Sequence, residues 1–445
     1  MKVAAIIAEY NPFHNGHKYQ LEQIRQKTHC DRIVVIMSGD FVQRGVPAIM
    51  DKYTRARHAL ENGADMVIEL PVIWATGSAE YFAKGALNII EGLGCVSYLA
   101  FGCEHEDMEL LQSLARLYAK EPDDYRRLLR QCLKEGASFP TARSVASQLF
   151  YMQNKADPAY RFPIDCSVEQ IKSVLAEPNS ILAISYLTQL IKSNSSIRPV
   201  LIKRRGGSYH STEPNELYSS ATAIREELDR VTRGESAYDN NIILKGAVPQ
   251  SVYNTMRYYH QENGYIHSND FSSELRYTIM RTPEESLSSF ADGGDALAKR
   301  CKNLLPEFTN YEGFCDTLKT KAFTRARISR FLCHTLLGVS SFITTETLLQ
   351  QDIYYARVLG FREEHSDIVS QVTQKAVIPV IMNLPRMINH LPVDATTSLR
   401  TDIYASNLYM FHQRDISGTD YTDELSRPVL VVGNEKYRPH KEDLK

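Results

Sequence analysis

The eight cysteines (Cys30, Cys95, Cys103, Cys132, Cys166, Cys301, Cys315, Cys333) include no CxxC pair. That excludes a paired-thiol zinc site and argues against a disulfide framework, so they read as free thiols in a reducing compartment. No apolar stretch approaches the length of a membrane span. The opening run Val3–Ala8 is too short for the apolar part of a secretory signal, and Glu9 closes it. A cytoplasmic protein without membrane contact is expected. Neither sign of charge is in excess: 51 Lys and Arg face 53 Asp and Glu, a formal net charge of −2. Any nucleic-acid partner must therefore be held by a local patch. There is no internal repeat, no low-complexity tract and no sign of an obligate protein partner.

What is present is an ordinary globular composition, 43% hydrophobic and 23% charged over 445 residues. That length allows two or three domains and a substantial core. The first 110 residues alternate strand and helix. Val3–Ala8, Arg32–Met37, Met66–Leu70 and Ser97–Phe101 are apolar runs of the kind buried on both faces. Helical stretches separate them, at about Asn15–Lys27, Asp51–Glu61 and Ser78–Ile90. The pattern predicts a Rossmann-like, doubly wound parallel sheet. Ligands of such sheets bind beyond the carboxyl ends of the strands, here Tyr10–His17, Ser38–Arg44, the segment from Pro71 and Gly102–Glu104. Helical sequence from Glu106 to about Gln153, a helix Ser180–Lys192, a strand Ile197–Ile202 and a helix Ser220–Val231 would close this domain. We place its boundary near Arg233, giving 1–233 as an α/β domain and 234–445 as a mainly α-helical C-terminal region. The residues after Asn434 are charged and expected to be loosely held.

Two motifs carry chemistry. Tyr10-Asn-Pro-Phe-His14-Asn-Gly16-His17 follows the first strand directly. His14 and His17 are three apart at a helix N-terminus, a ready anion site. Gly16 would leave space for a flat base or ribose. Two imidazoles there would stabilise charge on a transferring α-phosphate and its pyrophosphate leaving group; the plain alternative is a solvated first turn. The second motif is Tyr218-Ser-Ser220-Ala-Thr222-Ala-Ile-Arg225. Ser220 makes an N-cap, which sets Thr222 and Arg225 in the first turns to meet a polyphosphate. The polar loop Ser38-Gly-Asp-Phe-Val-Gln-Arg44-Gly45 would line the entrance.

Together these resemble the HIGH-type nucleotidylyltransferase superfamily. The resemblance narrows over Ala8–His17, Met37–Gly45, Asp65–Pro71, Phe101-Gly-Cys-Glu104, Glu177-Pro-Asn-Ser-Ile-Leu182, Lys203-Arg204, Tyr209-His210 and Ser219–Arg225. It thins through Thr320–Arg327 and Tyr355–Phe361. These segments look like the bacterial tRNA(Met) cytidine acetate ligase family. The resemblance implies an ATP-dependent ligase that forms acetyl-adenylate and pyrophosphate from acetate and ATP. The acetyl group would then pass to the N4 amine of the wobble cytidine of elongator tRNA(Met). It implies His14 and His17 as catalytic residues, and an ATP site of Ile7, Ala8, Glu9, Tyr10, Asn11, Pro12, Phe13, His14, Asn15, Gly16, His17, Lys18, Tyr19 and Gln20. Gly102, Asn179, Arg204, Ser220, Thr222 and Arg225 complete that site. Mg2+ is expected with the triphosphate, and no protein-held metal. Cys103 stands where the family usually has a small hydroxyl residue, and Ser180 where it often has a second Asn.

A basic run, Lys319, Lys321, Arg325, Arg327 and Arg330, would hold tRNA phosphates, with Phe323 available for stacking and Arg204 and Arg205 adding charge. The plain alternative is a solvated helix face. Two other functions compete: a small-molecule adenylyltransferase of the same superfamily, and a nucleotide-binding regulator without turnover. The intact histidine pair argues against the regulator, and the two hundred or so further residues argue against the small enzyme.

Overall fold

The computed structural model describes residues 1–204, 219–239, 241–341, 354–418 and 420–433. Arg205, Tyr209, His210, Tyr218 and the tail from Asn434 lie outside them. Five parallel strands form the body of the sheet: β1 (Val3–Ala8), β2 (Arg32–Ser38), β5 (Met66–Leu70), β6 (Val96–Cys103) and β7 (Arg198–Lys203). Their spatial order is β5-β2-β1-β6-β7. Between β2 and β5 a small antiparallel hairpin, β3 (Phe41–Val42) and β4 (Val46–Pro47), stands off the sheet.

The sequence reason is a period of two with both faces apolar. Ile33, Val35 and Met37 of β2 face one layer of core with Leu21 and Ile24 of the helix Asn15–Thr28 and Leu60 of the helix Lys52–Glu61. Val34 and Ile36 face the other layer, with Phe82 and Ile89 of the helix Ala79–Gly92 and Leu187 of the helix Pro178–Lys192. The helical stretch expected from Glu106 resolves into three helices, Met108–Lys120, Asp123–Lys134 and Phe139–Asn154.

The C-terminal region is mainly helical, yet it also completes the sheet. β8 (Ala356–Arg362) pairs antiparallel with β5, and β10 (Leu430–Val432) and β9 (Val380–Ile381) pair parallel with β8. The sheet therefore crosses the boundary drawn near Arg233. Beside this join lies a buried ionic cluster. Lys52 Nζ sits 2.7 Å from Glu69, 2.8 Å from Glu424 and 2.7 Å from the Ser406 hydroxyl. Arg357 pairs with Glu69 at 2.8 Å and also with Glu424. Charges this deeply buried are tolerated because each meets an opposite one. Half of them come from each side of residue 233.

Candidate nucleotide site

The site is built on the turn after β1. Tyr10 takes a left-handed backbone (φ 49°), and its ring sits edge-on to His17 with centroids 4.7 Å apart. His14 is the N-cap of the helix Asn15–Thr28. Its ring accepts from the Gly16 amide at 3.1 Å, and the His17 ring accepts from the His14 amide at 3.2 Å. The two rings stack at 3.7 Å between centroids. Both acceptors are Nδ1, so a neutral ring must carry its proton on Nε2. The structure thus sets two imidazoles as Nε2–H donors.

Their charge state follows from their surroundings. Burial, then Arg204 and Arg225, pull His14 down to about 3. Burial, His14 and Arg204 hold His17 well below the usual imidazole range. Before any anion binds, both are neutral at physiological pH, and protonation of one would crowd its stacked neighbour.

Gly16 also has a close contact within the turn itself. A Cβ there would meet His14 Cε1 at 2.8 Å and Nδ1 at 3.0 Å. The glycine makes room for the His14 imidazole.

The second motif closes on the first. Ser220 caps the helix Ala221–Thr232 by accepting from the Ala223 amide at 3.1 Å. Arg225 donates to the Asn11 carbonyl at 2.7 Å and to the Thr222 hydroxyl at 3.1 Å. A half-buried guanidinium is thereby fixed to the loop that carries His14. On the opposite side, Gly102 is the penultimate residue of β6, where a Cβ would meet Gln20 Nε2 at 3.1 Å and Arg204 Cγ at 3.3 Å. Asn179, in the first turn of the helix Pro178–Lys192, donates to Glu104 Oε1, from which Arg204 Nε lies 3.8 Å. The structure therefore brings Gln20, Gly102, Asn179 and Arg204 together on one flank, and His14, His17, Thr222 and Arg225 on another, with Arg204 acting electrostatically on both histidines.

The remaining positions of the first motif are scaffold and rim. Ile7 and Ala8 are the last residues of β1. Glu9 accepts from the Gln43 amide at 3.0 Å, and Asn11 accepts from the Ile49 amide at 3.0 Å. Asn15 donates to the Gly246 carbonyl at 2.7 Å, tying the turn to a later helix. Pro12 and Phe13 are buried, Tyr19 is half-buried, and Lys18 is exposed.

One contributor carried no motif. Arg55, fully buried in the helix Lys52–Glu61, donates to the carbonyls of Glu9 (2.7 Å), Ser38 (3.1 Å), Met50 (2.9 Å) and Gly39. It holds together the chain as it leaves β1 and β2. Asp51 caps that helix by accepting from the Tyr53 and Thr54 amides, but no pattern in the sequence singled out Arg55.

The basic run is only partly free. Arg325 pairs with Glu312 and with Asp316 at 2.9 Å. Arg327 donates to the carbonyls of Asp292 (3.0 Å) and Gly293 (2.8 Å), with its guanidinium 5.3 Å from the Phe323 ring centroid. Arg330 grips the Asp292 carboxylate with two bonds, at 2.8 and 2.9 Å. Lys319 and Lys321 are exposed and have no ionic partner among the described residues. The helix Arg325–Leu337 lies against the β3–β4 hairpin. A Cβ on Gly45 (φ 69°) would meet Arg330 Cα at 2.5 Å, and the Tyr311 and Ser329 hydroxyls both donate to the Gly45 carbonyl.

Among the described residues no three or more His, Cys, Asp or Glu cluster as metal ligands. None of the described helices is long and apolar enough to cross a membrane.

The chain is similar to known proteins along almost its whole length. A family model described as HIGH Nucleotidyl Transferase matches residues 1–424. The tRNA(Met) cytidine acetate ligase of Clostridium tetani is 34% identical over 431 residues, covering 97% of this chain and 100% of the relative. The ligase of the same name from Acetivibrio thermocellus is 32% identical over 433 residues, covering 97% and 100%. The crystal structure of Thermotoga maritima TmcAL in an apo form superposes with a TM-score of 0.86 at 31% identity, covering 97% and 99% of the two chains. The same protein bound with alpha-thio ATP superposes with a TM-score of 0.84.

Proposed function

The chain belongs to the HIGH nucleotidyl transferases and, among them, to the tRNA(Met) cytidine acetate ligases, and from that membership we propose that it acetylates the wobble cytidine of elongator tRNA(Met). Acetate attacks the α-phosphorus of ATP, the bond to the bridging oxygen breaks, and pyrophosphate leaves with acetyl-adenylate remaining. The cytidine N4 amine then attacks the acetyl carbonyl, AMP departs, and N4 gives up a proton. The products are N4-acetylcytidine, AMP and pyrophosphate.

The observation that carries this reading is the stacked, neutral His14–His17 pair with both Nδ1 atoms occupied. Two preset N–H donors suit a phosphoryl group that gains negative charge as it transfers. Arg225, pinned to Asn11, and Arg204, beside Gly102, supply fixed positive charge on either side. Ile7–Gln20, Gly102, Asn179, Arg204, Ser220, Thr222 and Arg225 form the ATP site in this reading. Mg2+ would enter with the triphosphate, held chiefly by phosphate oxygens and water.

Residues 1–233 carry the nucleotide chemistry and 234–445 the tRNA platform, sharing one sheet. The contact of Gly45 with Arg330 supports this division, since it brings the basic helix beside the loop that follows β2. The work belongs in the cytoplasm, where ATP and tRNA meet. Labelled acetate, ATP and tRNA(Met) are the test: a mass gain of one acetyl group on the tRNA, with AMP and pyrophosphate released, is expected. ADP and phosphate as products would overturn the adenylate route. ATP–pyrophosphate exchange that needs no acetate would favour a small-molecule adenylyltransferase.

A further inference from the structure

Three segments that are far apart in sequence end at one carboxylate. Glu104 follows β6 directly. Its Oε1 accepts from Asn179 Nδ2 and lies 3.8 Å from Arg204 Nε, and its Oε2 is 3.5 Å from the Ser180 hydroxyl. Asn179 and Ser180 open the helix Pro178–Lys192, and Arg204 follows β7. The backbones are joined too, since the Arg204 amide donates to the Cys103 carbonyl at 3.0 Å. The Glu104 side chain is 17% exposed and that of Arg204 36%, so the pair sits at the rim of the cleft.

Asn179 and Arg204 have rotamer freedom that must be lost before they can meet a ligand. Asn179 offers one amide group, and its Nδ2 is already committed to Glu104, which turns its Oδ1 the other way. Arg204 is drawn toward Glu104 while a Cβ at Gly102 would touch its stem. A carboxylate is also an unfavourable neighbour for a triphosphate. Its presence at this point is therefore explained by what it holds.

We propose that Glu104 is the positioning residue that sets Asn179 and Arg204 for the nucleotide, a proposal that rests on reading those two residues as ATP contacts. It touches no reacting atom. It acts by giving two side chains, the Asn179 amide and the Arg204 guanidinium, one fixed orientation before ATP arrives, which improves affinity without adding an interaction made only in the transition state.

The test uses the full chain and measures acetate-dependent ATP–pyrophosphate exchange. Glu104→Ala is expected to raise KM for ATP about ten-fold and leave kcat at saturating ATP within about two-fold, the signature of lost uniform binding. Glu104→Gln keeps the shape and an acceptor for Asn179 but drops the charge facing Arg204. It is expected to fold normally and raise KM by a smaller factor, and the rise should vanish in an Arg204→Ala background because the partner is gone. Asn179→Ala and Arg204→Ala, measured alongside, must each raise KM for ATP. If they do and neither Glu104 variant does, the positioning role is overturned while the ATP-site reading stands. If neither of those two raises KM, the reading and the proposal fall together. A fall in kcat and thermal stability with KM unchanged would show Glu104 to be structural support only.

Discussion

At the scale of single residues, the His14–His17 pair concentrates the most chemistry in the fewest atoms. Replacing either by Ala removes a donor aimed at developing charge and is expected to lower adenylate formation by about 2.7–4 kcal/mol, a hundred-fold or more in rate. Melting temperature should fall only modestly, since each replacement also removes one half of a helix cap worth about 0.5–2 kcal/mol. Gly16→Ala should imitate this loss, because its Cβ would arrive 2.8 Å from the His14 ring and turn it away. Acetate-dependent exchange and a thermal melt on all three variants check the idea; near-wild-type turnover in them would remove the histidines from the chemistry.

This pair was legible in the sequence because everything that defines it lies within one turn: a strand, a Pro, a cap and a spacing of three. Arg55 was not, and Glu104 was placed at a strand end without its partners, since each acts on segments brought together only by folding. The two departures from the family pattern also gain meaning in space. Cys103 and Ser180 touch, Sγ to Oγ at 3.2 Å, so what reads as two separate changes along the chain is one altered contact.

At the scale of elements, the basic run from Lys319 to Arg330 divides into two kinds of cation. Arg330 is committed to Asp292, and Arg327 to the carbonyls of the same turn. Lys319 and Lys321 precede the helix and are exposed. Replacing both lysines by Ala should flatten the salt dependence of tRNA binding by about 0.7–0.9 log units for each phosphate that a lysine had neutralised. ATP–pyrophosphate exchange should be unaffected. Arg330→Ala should instead lower the melting temperature, because it strands the half-buried Asp292 carboxylate. If the double lysine variant keeps the wild-type salt slope, the tRNA surface lies elsewhere on the molecule.

Strand reading shows the same divide between local and distant causes. β1 was readable to the residue as a continuous apolar run bounded by Lys2 and Glu9, and β5 as an apolar run broken only by Glu69. β8 carries Arg357 and Arg362 among its apolar residues, and so short a run among helices has no period that distinguishes strand from buried helix. Its identity is set by the open edge of β5, which no local pattern reports.

At the scale of the whole molecule, the shared sheet limits how far the two halves can be separated. A fragment of residues 1–233 would expose the β5 edge and leave Lys52 without Glu424 and Ser406. An unpaired edge and a buried cation short of partners both favour aggregation or unfolding. The fragment is therefore expected to be insoluble or to melt well below the full chain. A soluble fragment that binds ATP with full-length affinity and stability would show that the join is dispensable.

The same region should tune stability with pH. Burial, reinforced by Glu69, pushes Asp402 up to about 7, and burial pushes Asp40 up to about 6 against the pull of Lys52 and Arg55. In the unfolded chain both titrate near about 4, so the folded state holds their protons longer. Folding therefore loses stability as pH rises from about 4 through 7, and the penalty is complete above that. Glu424 has the opposite sign: burial would raise it, but Lys52 and Arg357 hold it at about 2, so its contribution is lost on acidification. Asp402 accepts from the Val72 amide at 2.7 Å and from the Tyr355 hydroxyl. Asp402→Asn would keep an acceptor for Val72 without a charge to bury. Its melting temperature should change less than that of the wild type between about pH 5 and 8. Parallel curves for the two proteins would assign the pH dependence to other groups.

The late partner of β5 also sets a timetable for synthesis. β5 ends at Leu70 and its outer partner β8 begins at Ala356. At about 5–20 residues per second, a ribosome needs roughly 15–60 s to cover that interval. Through that delay the emerging chain carries an uncapped row of amides and carbonyls beside an apolar surface, the state in which a nascent chain most needs a chaperone's shelter.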